Sequence, residues 1–173
     1  MFKFLLFCLI PITCLAGDFK VEAQQQADNL KKELLSKVKS KMSSEGPIAA
    51  IRFCHENALG LTEEAAQKGY ALGRTSLKYR NPQNAPEKWI QEFLRQAQSS
   101  TAKKPYEAKV VQNTNGQKVF ISPLYTAAAC LQCHGRPAGL LKSKLEELYP
   151  KDRATGYRLG EFRGFVWVKK KDD

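Results

Sequence analysis

Residues 130–134 read Cys-Leu-Gln-Cys-His, and this run constrains the chain more than any other feature of its sequence. A Cys-x-x-Cys-His run is the attachment site of c-type haem. Its two thiols, spaced on a helical turn, add across the two vinyl groups of the porphyrin, and the next residue falls beneath the iron. The run therefore predicts one covalent haem c, with Cys130 and Cys133 as thioether links and His134 as the proximal iron ligand.

Two other chemistries use a Cys-x-x-Cys pair. A structural zinc site needs a second pair of ligands with similar spacing, and the sequence contains no such pair. A thiol–disulfide oxidoreductase carries the pair in a βαβ unit, but here it follows Pro123 and a small-residue stretch at 126–129, with no βαβ pattern around it. An oxidoreductase that works through Cys130 and Cys133 without haem stays as an alternative.

Haem c is attached outside the cytoplasm, and residues 1–16 have the features of a signal peptide. Lys3 gives a positive start, residues 4–10 form an apolar run, and Ala16 is the small residue expected before the cleavage site. The apolar run is too short to span a membrane, which takes about 20 residues. Cleavage near Ala16 predicts a periplasmic or secreted protein that is not transmembrane, with residues 17–173 forming one domain.

The chain has five cysteines, and two of them, Cys8 and Cys14, lie in the leader. A lipid anchor at Cys14 is the less favoured alternative to cleavage, because residues 11–13 differ from those expected before a lipid-carrying cysteine. Once the motif pair is assigned to haem, Cys54 is left alone in an oxidising compartment. Cys54 is then buried and inert, unpaired by accident, or bound to iron.

The chain is basic, with 28 Lys and Arg against 17 Asp and Glu and a formal net charge of +11. Solvated lysines that keep the protein soluble are the simplest explanation. The same charge would attract an acidic periplasmic redox partner protein, or would favour peripheral contact with an anionic membrane. Export argues against nucleic acid as a partner.

Hydrophobic periodicity and turn residues divide the chain into early helices and later strands. Gly46 ends the first amphipathic helix, and Pro47 can open the second, because proline is favoured in a helix's first turn. An Asn-Thr-Asn-Gly turn at 113–116 predicts a β-hairpin. The predicted elements are helices at 21–42, 47–69, 87–98 and 140–148, a loop at 70–86, and strands at 106–112, 117–124 and 164–169. This order predicts an α+β domain.

Four segments together resemble a known family. They are Ala-Ile-Arg-Phe-Cys at 50–54, Gly-Arg-Thr-Ser-Leu-Lys-Tyr-Arg-Asn-Pro-Gln-Asn-Ala-Pro at 73–86, the motif with its following glycine at 130–135, and Gly-Glu-Phe-Arg-Gly at 160–164. With them the chain is similar to the haem c-binding, PAS-like domains of exported bacterial and cyanobacterial proteins and sensor kinases. The resemblance spans roughly residues 23–169.

The resemblance implies a PAS-like antiparallel sheet flanked by helices, with one covalent haem. It also implies an axial pair made of the motif histidine and a cysteine thiolate, which maps to Cys54. His55 is the runner-up for the sixth iron position, about 100° round a helix from Cys54, and Met42 comes third. An open sixth position is the remaining alternative.

Two arginines in the resembling segments are further candidates for the site. Arg74 and Arg80 are expected either to bind haem propionates, since a guanidinium holds a carboxylate with two parallel hydrogen bonds, or to form a loop network with Asn81 and Asn84.

The chain is expected to be an electron carrier or redox-responsive protein rather than an enzyme, because two strong axial ligands leave no free position on the iron. An anionic thiolate favours Fe(III), so the expected potential is low. The alternative from another class is a haem-based sensory module for redox state or a small gas that acts through a separate partner.

Overall fold

The computed structural model describes residues 18–67 and 69–171. The predicted signal peptide at 1–16 lies outside the described residues and stays a prediction. The elements are α1 (Phe19–Glu64), β1 (Tyr70–Thr75), α2 (Lys88–Ala97), β2 (Lys109–Gln112), β3 (Lys118–Tyr125), α3 (Leu131–His134), α4 (Gly139–Leu148) and β4 (Phe162–Lys170), with short 3-10 helices at Pro82–Asn84 and Ala128–Cys130.

The four strands form one antiparallel sheet in the order β1-β4-β3-β2. The β2–β3 hairpin closes through a hydrogen bond of 3.0 Å from Gly116 N to Asn113 O. Gly116 has a φ of 75°, a left-handed conformation that glycine adopts without steric cost, which is why the sequence marks this turn. The predicted α+β class, an antiparallel sheet flanked by helices as in PAS-like domains, is confirmed.

Helix α1 folds back on itself at Gly46, where φ is 84° and ψ is 177°. This combination is open almost only to glycine. Gln67 N donates to Gln26 Oε1 at 3.2 Å, so residues near the two ends of α1 are in contact. Gly46 lies about midway between Gln26 and Gln67, as a hairpin of two helices of similar length requires.

We call residues 19–45 the first arm of α1 and residues 47–64 the second arm. The predicted break between two helices is confirmed, although the second arm ends at Glu64 rather than at residue 69. Of the helices within the described residues, none is long and apolar enough to cross a membrane.

Each face of the sheet is covered by a helix. The first arm packs on one face and α2 on the other, and side chains of β3 alternate between them, with Phe120 on the α1 side and Val119 and Ile121 on the α2 side. A smaller cluster joins the second arm to α4. The buried members are Ala23, Ala27, Leu30, Tyr70, Leu72, Phe120, Val166 and Val168; then Ile90, Leu94, Ala97, Val119, Ile121, Phe162 and Phe165; then Ile51, Leu145 and Tyr149.

The prediction of a loop over residues 70–86 is wrong at its start, because Tyr70–Thr75 is the edge strand β1. Gly73 suggested a loop, but it is a strand residue that pairs with Trp167 of β4. A Cβ atom at this position would lie 2.1 Å from the Trp167 ring. The glycine therefore makes room for an indole, one of the reasons for which a strand contains glycine.

Candidate functional site

The Cys-x-x-Cys-His run lies directly after β3. Thr126 fixes the exit from the strand, since its backbone N donates to Glu161 O at 3.0 Å. A 3-10 turn then leads into the single turn of α3. Cys130 and Cys133 are three positions apart on this helical stretch, so their side chains lie on one side of it. Both thiols are free and half-buried.

His134 is held in the form that binds metals. Its Nδ1 lies 2.7 Å from Ala154 O, so we assign the proton to Nδ1, and Nε2 keeps its lone pair. Burial, together with the positive charges of Arg163 and Arg80, holds the pKa of His134 well below its ordinary value. The ring is therefore neutral at pH 7. A neutral imidazole that donates through one nitrogen to a carbonyl is suited to coordinate a metal through the other.

Arg80 is already occupied by protein groups. Its Nε donates to Asp152 Oδ2 at 2.9 Å, and its Nη2 donates to Cys133 O at 2.6 Å and to Ala154 O at 3.3 Å. The Arg80 and Asp152 side chains are only 12% and 10% exposed. These contacts match the loop-network interpretation of Arg80, although the partners lie in the motif and in the segment after α4 rather than at the predicted asparagines.

Cys54 lies on the second arm, next to the motif. It is close enough to Arg74, Cys133 and Arg80 for their charges to interact. Burial raises the pKa of the Cys54 thiol, and the Arg74 guanidinium opposes this shift. Cys133 also packs against the cluster that contains Ile51 of the second arm. The structure thus brings together the leftover thiol and the motif, which are far apart in the sequence.

The other candidates for the sixth iron position lie in different surroundings from Cys54. His55 is exposed, and its ring meets the Tyr149 ring edge-on, with centroids 5.0 Å apart. Met42 is half-buried on the first arm, across the Gly46 turn from Cys54.

Arg74 reaches from β1 to the second arm, where its Nη2 donates to Ala58 O at 3.1 Å. Its buried Nε has no hydrogen-bond partner among the residues that the structure describes. Burial lowers the pKa of Arg74, and the nearby Cys54 opposes this shift. Arg74 also lines a cavity of about 290 Å³ together with Trp89 and Trp167. A buried guanidinium with an unused donor is suited to bind an anionic ligand.

Several residues around His134 had no assigned role in the sequence. Arg163 donates through Nη1 to Lys78 O at 3.0 Å, and its guanidinium lies 5.0 Å from the centre of the Tyr157 ring. Tyr157 in turn meets the His134 ring edge-on. Arg163 lies in the segment at 160–164 that carries part of the family resemblance, and this resemblance is the sequence signal that could have pointed to it. Asp152 lies in an irregular segment without any pattern that marks it.

A second cavity, of about 310 Å³, lies beside the motif and is lined by Gly135, Leu145 and Asp152 among others. Within residues 18–67 and 69–171, no group of three or more His, Cys, Asp and Glu side chains is arranged to hold a metal ion.

Fold and site together define an α+β domain in which a Cys-x-x-Cys-His run follows a strand of an antiparallel sheet and meets a cysteine of a long, folded-back helix. The family described as Tll0287-like matches residues 18–170, and the chain belongs to this family. The crystal structure of the cyanobacterial heme-protein Tll0287 is similar, with a TM-score of 0.59 and 22% identity, covering 87% of this chain and 92% of that chain. No match is found among curated proteins. The family resemblance seen in the sequence is confirmed.

Proposed function

We propose that the chain is an exported mono-haem c-type cytochrome that acts in electron transfer or in a redox response. The related heme-protein supports haem as the cofactor. The observation that carries the proposal is the state of the motif histidine: His134 is neutral, its Nδ1 donates to Ala154 O, and its Nε2 is left to bind iron. When bound, the haem supplies a one-electron Fe(III)/Fe(II) couple.

Cys130 and Cys133 would attach the porphyrin through thioether bonds. Support comes from their free thiols and from their spacing on one helical stretch beside His134. Burial raises the pKa of the Cys133 thiol, and the charge of Arg80 opposes this shift.

Cys54 would be the second axial ligand, because its thiol lies close to Cys133 and to the positive charge of Arg74. Binding of a thiolate to iron releases a proton. Since burial raises the pKa of Cys54, we expect the thiolate ligation to be lost as the pH falls. An anionic ligand favours Fe(III) and lowers the reduction potential. The exposed His55 is the runner-up.

Arg74, rather than Arg80, would hold a haem propionate. Arg74 has a buried Nε without a partner among the described residues, whereas the Nε and Nη2 of Arg80 already donate to Asp152, Cys133 and Ala154. A propionate at Arg74 would satisfy the unused donor and compensate the buried positive charge.

The exchange of electrons would take place with a periplasmic redox partner protein of acidic surface. The net charge of +11 favours encounters with such a protein. A chain with two protein ligands on its iron would carry electrons rather than catalyse a reaction.

The test of haem attachment is a haem-stained denaturing gel with a pyridine haemochrome spectrum, on protein expressed in a host that matures c-type cytochromes. We expect one haem per chain and two thioether bonds. Cys130→Ala should leave a single thioether bond and shift the haemochrome band. Colourless protein in which the thiols of Cys130 and Cys133 alkylate freely would overturn the proposal and favour a thiol–disulfide oxidoreductase.

The test of the second axial ligand compares Cys54→Ala with its neighbour, His55→Ala. We expect Cys54→Ala to lose the low-spin thiolate signature in the optical and electron paramagnetic resonance spectra, and His55→Ala to keep it. An unchanged low-spin spectrum in Cys54→Ala would remove Cys54 from the iron.

A further inference from the structure

We propose that Arg80 and Asp152 form a clamp that fixes the orientation of the His134 ring, and that they act as positioning residues for the proximal iron ligand. The proposal rests on the proposed function, because the ligand that it positions is that of the haem. It assigns a role to Asp152, which no sequence pattern marks, and a different role to Arg80 from that of a propionate ligand.

The first path of the clamp runs from Arg80 to the imidazole in three hydrogen bonds. Arg80 Nε donates to Asp152 Oδ2 at 2.9 Å. The other oxygen of the same carboxylate, Oδ1, accepts from Ala154 N at 2.7 Å. The carbonyl of Ala154 then accepts from His134 Nδ1 at 2.7 Å. The carboxylate therefore sets the position of the residue that orients the ring.

The second path uses the same guanidinium. Arg80 Nη2 donates both to Cys133 O at 2.6 Å and to Ala154 O at 3.3 Å. One planar group thus bridges the backbone of the motif and the backbone of the acceptor segment. The hydrogen bond between His134 Nδ1 and Ala154 O depends on how these two backbone segments are placed relative to each other. The rigid, forked guanidinium is suited to keep that placement fixed.

The acceptor segment has no regular structure that would hold it instead. Residues 149–161 connect α4 to β4 without a helix or strand of their own. Backbone hydrogen bonds fix the segment on both sides of Ala154: Arg153 N donates to Tyr79 O at 2.9 Å, Gly156 N donates to Gly135 O at 2.6 Å and Tyr157 N donates to His134 O at 3.0 Å. At Ala154 itself, the backbone N–H donates to a side chain instead of a backbone carbonyl, and its acceptor is Asp152 Oδ1.

The clamp has a defined consequence for the iron. A hydrogen bond from Nδ1 to a carbonyl raises the basicity of the ligating nitrogen and fixes the plane of the ring, and mutation of such outer partners typically costs about 10- to 100-fold in metal affinity or activity. A weaker or more variable bond makes the imidazole a poorer donor, which favours Fe(II) over Fe(III). We expect a shift of the Fe(II)/Fe(III) ratio, at a fixed ambient potential, of about tenfold.

The test uses the full-length, haem-loaded protein with Arg80→Lys, which keeps the charge but loses the fork. We expect haem staining equal to wild type, more than one ring orientation in the electron paramagnetic resonance spectrum of the oxidised protein, and an Fe(II)/Fe(III) ratio raised about tenfold. Arg153→Lys is the matched control: Arg153 is next to Ala154 in the chain, but its guanidinium lies 5.4 Å from the centre of the Tyr79 ring instead. The control should keep the wild-type spectrum.

Asp152→Asn is the second variant, which keeps an oxygen for Ala154 N and removes the ion pair. It should shift the ratio in the same direction. If both residues act as one clamp, the double variant with Arg80→Lys should change the ratio by much less than the product of the two single effects.

The outcomes separate the clamp from the proposed function. Haem-loaded wild type together with an unchanged spectrum and ratio in Arg80→Lys and in Asp152→Asn would overturn the clamp alone. An equal change in Arg153→Lys would also overturn it, because any arginine near the acceptor segment would then act alike. Wild type without haem would overturn the proposed function, and the clamp as a positioner of an iron ligand with it.

Discussion

The two arms of α1 belong to two differently built parts of the molecule. The first arm lies against the sheet, where Ala27, Leu30 and Phe120 are completely buried and apolar. The second arm lies against the motif, where Arg74 has a buried Nε without a partner among the described residues and three cysteines keep free thiols. The sheet side is a packed core with one buried amide nitrogen, Gln26 Nε2, that has no partner among the described residues, whereas the site side contains a buried charge, which is far more costly to bury without a counter-charge.

Phe120→Ala removes the largest completely buried side chain between the first arm and the sheet. Phe120 is 0% exposed, so the variant leaves a cavity, and truncation of a buried phenylalanine costs about 3–5 kcal/mol of the free energy of unfolding. Chemical denaturation of the haem-free protein measures this loss. Leu140→Ala, at a side chain that is 78% exposed, should change the free energy by about 0.5 kcal/mol or less. Equal losses in the two variants would show that the sheet side is not the stabilising part.

Gly46→Ala tests the turn that joins the two parts. The conformation at Gly46, with φ at 84° and ψ at 177°, is strained for a residue with a Cβ atom, at a cost of about 1–3 kcal/mol. Gly60→Ala is the matched control, since Gly60 lies inside the second arm and a Cβ there meets nothing within 4 Å. The control should gain about 0.5–1 kcal/mol. A stabilised Gly46→Ala would mean that the arms are not folded back at this residue.

Much of the fold follows from local sequence. The Gly46-Pro47 break and the turn that ends at Gly116 were predictable because glycine and proline act on the backbone at their own positions. The edge strand β1 was missed because the partner that explains Gly73 is Trp167 of a distant strand. Local patterns cannot reveal a glycine whose purpose is to accommodate a ring from elsewhere.

The site divides in the same way. The motif residues were predictable because their spacing is local chemistry. The contacts around them were not, because Arg80 and Asp152 lie 72 residues apart and meet only in the folded chain. Cys54 could be singled out by elimination and family resemblance, while its neighbours Tyr149 and Arg74 came together only in the structure.

His134 should make the haem-free protein sensitive to acid. Its pKa is held well below the ordinary value in the folded state, so the unfolded state binds the proton more readily. The stabilising effect of the neutral ring is complete above about pH 6.5 and is lost as the pH falls towards the folded-state pKa, with a slope that approaches about 1.4 kcal/mol per pH unit. Denaturation between pH 7 and pH 5 measures the slope. His134→Gln should flatten it, whereas His55→Gln, at an exposed position, should keep it. A steep slope in His134→Gln would assign the acid sensitivity to other groups.

Arg74→Met should give the smallest change in the free energy of unfolding. The sign of this change distinguishes the site side from the sheet side most clearly. In the haem-free protein the buried Nε has no partner among the described residues, so an apolar side chain of similar length should leave the free energy of unfolding unchanged or raise it by up to about 1 kcal/mol. In the haem-loaded protein the same change should lower it, because a propionate would lose its cation. Arg80→Met is the control, and it should be destabilising with and without haem because it leaves Asp152 unpaired. If Arg74→Met destabilises the haem-free protein as strongly as Arg80→Met does, Arg74 is a structural residue. The site side is then stabilised without a ligand, as the sheet side is, and the contrast between the two sides no longer holds.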